Sequence, residues 1–186
     1  PLWALLVLGA WITRRRTWLP AVLLGLALAD RQPAWFVFPF VIAATLRERG
    51  GSVAWRRAAI AVVVAVLVNA PFVVAAPERA VSGILAPLLA PLVADGVGLM
   101  QFGVADRYTT ALPRAAYTIL ALIALAALLG YLWRRPRGLA GAPLVWGLAP
   151  LWLAWRSLQN YFAFLPLFAL VGDDEIAMGH EPDPPH

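Results

Sequence analysis

Long apolar runs, separated by short charged or proline-containing segments, dominate the chain. Residues 58–76 and 115–133 contain no charged side chain, and each run is long enough as an α-helix to cross a hydrocarbon layer of about 30 Å. Residues 139–155 form a further apolar run, and residues 161–172 a short last one. This pattern predicts an all-α protein, a polytopic transmembrane helix bundle.

A polar interruption divides the apolar stretch at residues 18–46. Asp30, Arg31 and Gln32 lie near its centre and are followed by Pro33. A single spanning helix would place two charges inside the bilayer, where each costs about 2.5–3.5 kcal/mol. We therefore expect a hairpin of two half-length helices, with its turn in a thinned or protein-lined part of the membrane.

The remaining segments suggest a membrane domain followed by a tail. The outer loop at about 77–114 is too apolar for a plain linker and too rich in proline to span, which predicts an interfacial or re-entrant helix. The first apolar run, residues 1–12, is too short to span. Residues 1–172 are therefore interpreted as a fragment of a larger membrane domain, and the acidic, proline-rich residues 173–186 as a disordered tail.

Composition and charge support a membrane location. Hydrophobic residues make up 62% of the chain and charged residues 13%, against about 45–50% and about 25% in soluble domains. All 15 basic residues are arginines, and ten of them lie in three clusters beside apolar runs, as expected of cytoplasmic loops. The clusters are residues 14–16, 47–57 and 134–137. Because topology accounts for the net charge of +5, we expect no nucleic-acid partner.

Few residue types that carry out catalysis are present. The chain has no cysteine, and its two histidines lie in the tail, so thiol chemistry and a histidine metal site in the membrane are excluded. No metal-ligand spacing is recognisable, although a divalent metal cofactor stays open. Asp95, which precedes glycines of the outer loop, is a weak candidate for a catalytic base, and a solvated loop charge is the simpler interpretation.

Two polar clusters are candidates for binding an anion. The turn at Asp30 to Gln32 is either a solvated external turn or an anion site. The second cluster, around Arg156, reaches the same outer side on the predicted topology, unless Arg156 only extends to the interface within an aromatic belt. Two arginines flanked by amides suit a phosphate. The candidate lipid-phosphate or substrate residues are Arg31, Gln32, Arg156, Gln159, Asn160 and Tyr161.

Several segments resemble polytopic glycosyltransferases of the GT-C superfamily. The first combines Gly-Leu-Ala, a basic residue and an apolar run containing Phe-Pro. Three others are similar to the prokaryotic mannosyltransferase-like branch, and the resemblance extends to about Val171. The segments are residues 25–35 with 38–40, then 69–72, 96–99 and 155–162.

This resemblance implies transfer of a sugar, a mannose-like hexose or similar, from a polyprenyl-phosphate carrier. The acceptor would be a glycan, lipid or protein at the extracytoplasmic face of a prokaryotic plasma membrane. The superfamily's essential carboxylate lies in the first outer loop, which implies a catalytic base upstream of this chain. Arg31 matches the basic position and would contact the carrier's phosphate. Asp30 replaces the expected small or hydroxyl residue and would repel that phosphate.

Two other functional classes remain open. A transporter or flippase core would use helices broken at Asp30 and Pro71 to line a midplane site. It should also show a paired repeat of interrupted helices, and this stretch of sequence lacks one. The third hypothesis is a structural membrane subunit without chemistry of its own.

Overall fold

A computed structural model describes residues 2–89, 114–134, 142–154 and 162–178, and over these residues the protein is all-helical. The proline and glycine residues set many of the helix boundaries, because Pro33 and Pro77 begin helices and Gly50 separates two of them. In chain order the elements are α1 (Leu2–Ile12), α2 (Leu19–Asp30), α3 (Pro33–Arg49), α4 (Gly51–Ala75), α5 (Pro77–Leu89), α6 (Arg114–Arg134), α7 (Ala142–Leu148), a 3-10 helix (Ala149–Leu153) and α8 (Leu165–Met178).

The predicted helical hairpin is confirmed in α2 and α3. Arg31 has extended backbone angles (φ −153°, ψ 145°), and its amide still donates to the Ala27 carbonyl at 3.2 Å, which ends α2. The indole Nε1 of Trp35 donates to the Leu28 carbonyl at 2.8 Å across the turn. Helix α3 continues to Arg49, beyond the predicted end at Leu46.

Helix α4 differs from the expectation of a helix broken at Pro71. It begins at Gly51, ahead of the apolar run, and continues through Pro71 to Ala75. The Asn69 side chain donates to the Ala65 carbonyl at 2.8 Å, so its amide is partly satisfied within the helix itself. Pro71 removes one backbone donor without ending the helix.

The second half of the chain matches the predictions in part. Helix α6 confirms the helix predicted for residues 115–133. The run at residues 139–155 instead contains the short α7 and the 3-10 helix, which includes Pro150 near its start, so no continuous α-helix spans it. Helix α8 begins later than predicted and ends at Met178, beyond the expected boundary at Gly172.

Helix α1 contributes many of the core residues. Trp3, Val7 and Trp11 are among its buried residues. The Trp3 ring packs edge-to-face on Phe164, which directly precedes the last helix, and on Phe168 within it, with centroid distances of 5.9 and 6.1 Å. Contacts between the first and last helices therefore close the bundle.

Two glycines allow helices to cross closely. A Cβ atom at Gly25 of α2 would lie 2.6 Å from both the Ala61 carbonyl oxygen and the Val64 Cβ of α4. A Cβ atom at Gly147 of α7 would lie 2.6 Å from the Cα of Val37 in α3. Small residues at crossings are typical of helix pairs that pack without large side chains between them.

Arginine side chains gather at one end of the bundle, which we call the arginine end. The buried Arg57 of α4 donates to the Thr45 hydroxyl at 2.9 Å and to the Arg14 carbonyl at 2.8 Å. Arg47 donates to the Leu132 carbonyl at 2.6 Å, near the end of α6. Residues from all three predicted cytoplasmic clusters, residues 14–16, 47–57 and Arg134, thus lie at the same end.

Helices α4 and α6 are long and apolar enough to cross a membrane, and most of their surface is exposed. Val63 and Leu67 of α4 and Leu122 and Ile123 of α6 are examples of the exposed apolar side chains. In a water-soluble bundle such helices would form the buried core. Here, among the described residues, they carry much of the exposed apolar surface.

Gly25→Ala is expected to lower the free energy of unfolding by about 1–3 kcal/mol, because the added methyl group meets a backbone oxygen that cannot move freely. The control is Gly130→Ala in α6, where a Cβ atom meets nothing within 4 Å. That variant should be unchanged or more stable by up to about 1 kcal/mol. Denaturant titration in detergent micelles measures both, and equal stability of the two variants would contradict the close crossing.

Arg57→Met is expected to lower the free energy of unfolding by about 1.5–3 kcal/mol, the range for hydrogen bonds that involve a charged group. Its neighbour Arg56 is exposed, so Arg56→Met should change stability by no more than about 0.5 kcal/mol. The same titration compares the two. If Arg57→Met left the free energy of unfolding unchanged, the contacts of Arg57 would not be what holds the arginine end together.

Candidate functional site

A groove of about 740 Å³ lies at the end of the bundle opposite the arginine end. It is enclosed by three segments: the α2–α3 turn, the second half of α4 and the first turns of α5. Its position follows from the topology, since α2 and α4 both run away from the arginine end and α3 returns to it.

Most of the groove wall is apolar. Helix α4 supplies a face from Val62 to Val74, roughly 18 Å long at 1.5 Å rise per residue. Trp35 adds an aromatic wall, and its hydrogen bond to the Leu28 carbonyl fixes the orientation of the ring. A groove of this length and character suits an apolar chain better than a compact polar ligand.

Polar side chains line the groove as well. Asp30, Gln32, Asn69 and Arg79 come from the α2–α3 turn, α4 and α5. Arg79 is exposed, and its side chain forms no ion pair or hydrogen bond with the described residues. A guanidinium group without a carboxylate partner, beside two amides, suits a phosphate-bearing headgroup.

Asp30 lines the groove but already has a hydrogen-bond partner. Its Oδ2 atom accepts from the backbone N–H of Trp3 at 3.0 Å, in the first turn of α1. A carboxylate at this position is favourable because backbone N–H groups in the first turn of a helix lack partners within the helix. Asp30 forms no ion pair with Arg79, and the expected repulsion between Asp30 and a phosphate stays a prediction.

The structure separates the sequence candidates into three groups. Gln32 lines the groove, whereas Arg31 is exposed at the turn and is not part of the lining. Arg156, Gln159, Asn160 and Tyr161 lie outside the described residues, as does Asp95. Their proposed convergence with Arg31 stays a prediction.

Arg79 was not among the candidates from the sequence, where it was only a charge of the outer loop. Helix α5 places Arg79, Ala80 and Gly83 on the face that lines the groove. Gly83 lies four positions after Arg79 and three positions after Ala80, and these are the spacings of residues on one helix face. The amphipathic pattern of residues 77–89 is the signal that predicts this helix, but not the groove that it covers.

A second cavity of about 600 Å³ lies between α6, the 3-10 helix and the start of α8. Its lining is almost entirely apolar and includes Leu128, Trp152 and Phe162. The rings of Trp152 and Phe162 meet edge-to-face, with their centroids 5.3 Å apart. The described part of its lining contributes no polar side chain that could orient a ligand.

The described residues contain no group of three or more carboxylates or histidines that could hold a metal ion. No protein-family profile, curated protein or solved structure matches this chain. The groove and the distribution of charge are therefore the observations from which function is inferred.

Proposed function

We propose that the chain is part of an integral membrane glycosyltransferase that takes a sugar from a polyprenyl-phosphate carrier. The sugar is a mannose-like hexose or similar, and the acceptor is a glycan, lipid or protein at the extracytoplasmic face. The observation that carries this proposal is the groove, because it combines a long apolar wall with two amides and with a guanidinium that has no partner among the described residues. An isoprenoid chain with a phosphate at one end has the same division of apolar and anionic parts.

The charge distribution supports a membrane orientation for this groove. The arginine end matches the cytoplasmic side expected from the positive-inside rule. The groove then opens toward the extracytoplasmic side of a prokaryotic plasma membrane, and the exposed apolar faces of α4 and α6 contact lipid. In this placement the protein is multi-pass, and the half-length hairpin brings its turn to the groove.

In the proposed mechanism, the described residues bind and orient the carrier. Arg79, with Gln32 and Asn69, faces the phosphate, and the Val62 to Val74 face of α4 holds the isoprenoid chain. When the acceptor hydroxyl attacks the anomeric carbon, the bond to the phosphate oxygen breaks and negative charge develops on the leaving group. A guanidinium beside the leaving phosphate lowers the free energy of that charge. The base that deprotonates the acceptor is assigned upstream of this chain.

The transporter alternative has less support. It requires helices broken at Asp30 and Pro71, and the second of these is continuous in α4. The α2–α3 turn alone does not form the paired broken helices of such a site.

Single cysteines test the orientation, since the natural chain has none. Thr17→Cys lies at the arginine end and should resist an impermeant thiol reagent in intact cells. Glu78→Cys, at the start of α5, should be labelled. The reverse pattern would contradict the orientation, and labelling of both sites would contradict the spanning bundle.

Ligand binding tests the groove. The chain in detergent micelles should bind a polyprenyl phosphate more tightly than the corresponding polyprenol, and Arg79→Gln should weaken phosphate binding by about 10-fold or more, because charged hydrogen bonds contribute about 1.5–3 kcal/mol. Fluorescence or calorimetric titration measures these affinities.

Arg31→Gln is the matched control, since it removes a second exposed arginine from the same end of the bundle. Arg31→Gln should weaken the affinity for the polyprenyl phosphate by no more than about fivefold, because exposed charges contribute about 1 kcal/mol or less. A larger effect of Arg31→Gln than of Arg79→Gln would place the phosphate outside the groove. Equal affinity for the alcohol and the phosphate would contradict the proposal as a whole.

A further inference from the structure

The arginine end carries more arginine side chains than have partners among the described residues. Residues 14–57 supply seven arginines to this end, and Glu48 is the single carboxylate among the described residues there. Four of the arginines are engaged with the protein itself. Their partners are Glu48 for Arg14 at 3.7 Å, the Leu132 carbonyl for Arg47, and carbonyls of the α1–α2 linker for Arg49 and Arg57.

These contacts hold the α1–α2 linker, residues 13–18, against α3 and α4. Arg49 Nη1 lies 3.1 and 3.0 Å from the carbonyl oxygens of Arg14 and Arg15. Arg57 Nη2 lies 3.3 Å from the carbonyl oxygen of Arg16. Because the backbone of the linker is fixed in this way, the side chains of Arg15 and Arg16 are presented from a defined position beside the start of α4.

Three arginines remain without a protein partner. Arg15, Arg16 and Arg56 are exposed, and none forms an ion pair or side-chain hydrogen bond within the described part of the chain. Arg56 lies in the first turns of α4 next to Arg57, whose side chain reaches the linker carbonyls, so the three cations lie at the same level of the bundle, on the exposed surface of the arginine end. We call this surface, with the neighbouring Trp18 and Trp55, the Arg–Trp surface.

The tryptophans indicate what this surface contacts. Trp18 is 61% exposed at the start of α2, and Trp55 is 78% exposed in the first turns of α4. Tryptophan is enriched at the level of lipid headgroups, where its ring is partly in the apolar layer. Beyond Trp55, exposed Val62 and Val63 continue the apolar surface of α4 along the bundle. A soluble anion would leave these apolar side chains in contact with water, whereas the acyl chains of a lipid would cover them.

We propose that the Arg–Trp surface binds the headgroup of an anionic phospholipid in the leaflet at the arginine end. The lipid phosphate accepts hydrogen bonds from the guanidinium groups of Arg15, Arg16 and Arg56, and the indole rings lie at the boundary with the acyl chains. This site is at the opposite end of the bundle from the groove, so it does not rest on the proposed transferase activity.

Lipid binding by the detergent-purified chain tests the proposal. The wild-type protein is exchanged into mixed micelles with phosphatidylglycerol or phosphatidylcholine, and the lipid retained is measured by native mass spectrometry. We expect a preference for phosphatidylglycerol. Arg15→Gln with Arg16→Gln should reduce that preference roughly 30-fold, since each arginine near an anionic lipid surface contributes about 1 kcal/mol.

Matched variants make the result specific. Arg31→Gln removes one charge from the other end, outside the groove lining, and should leave the preference within about twofold of wild type. Arg15→Gln alone, which removes the same net charge from the arginine end, should lower the preference about fivefold. Replacement of Arg15 and Arg16 by lysine keeps the charge and the topology, so it should retain part of the preference while losing bidentate contacts. Equal retention of both lipids by the wild type, or equal losses in the two single glutamine variants, would overturn the proposal.

Discussion

The burial of the Arg57 guanidinium is the constraint on which the arrangement of the first four helices depends. A buried charge is unfavourable unless it is hydrogen-bonded, and here the partners of the two Nη atoms come from two other segments: the Thr45 hydroxyl in α3 and carbonyls of the α1–α2 linker. Thr45 in turn donates to the Val41 carbonyl at 2.9 Å, which orients its oxygen to accept from Arg57. One side chain of α4 thus joins α3 and the linker at a single end of the bundle.

This constraint also determines where the groove forms. With α1–α4 joined at the arginine end and α2 crossing closely over α4 at Gly25, the α2–α3 turn and the second half of α4 lie at the other end. Helix α5 then covers the gap between them, which brings Arg79 toward Gln32 and Asn69. The two ends of the bundle differ in chemistry for the same reason. At the arginine end, arginine side chains join the helices and the linker. At the opposite end the helices diverge and form a groove with a mixed apolar and polar lining.

The candidate site could be predicted only in part. Gln32 was identified because a polar turn inside an apolar stretch is costly and therefore informative, and the hairpin that carries it is present. Arg31 was selected by the same reasoning, yet it is exposed beside the groove, because adjacent residues in a turn project in different directions. Arg79 was missed because its role depends on α5 folding back along α4, a contact that no local pattern specifies. The role of Arg156 and its neighbours stays a prediction.

The helical character of the protein, the positions of the α2–α3 hairpin and α6, and the clustering of arginines beside apolar runs were all predictable from the amino-acid sequence. These features follow from local composition, from the cost of burying charge and from the absence of a backbone donor in proline. Three features became known from the folded chain: α4 continues through Pro71, Asp30 pairs with the first turn of α1, and Arg79 completes the groove. The second and third depend on contacts between residues distant in sequence, whose energies are set by how closely helices pack and not by the residues of any one segment.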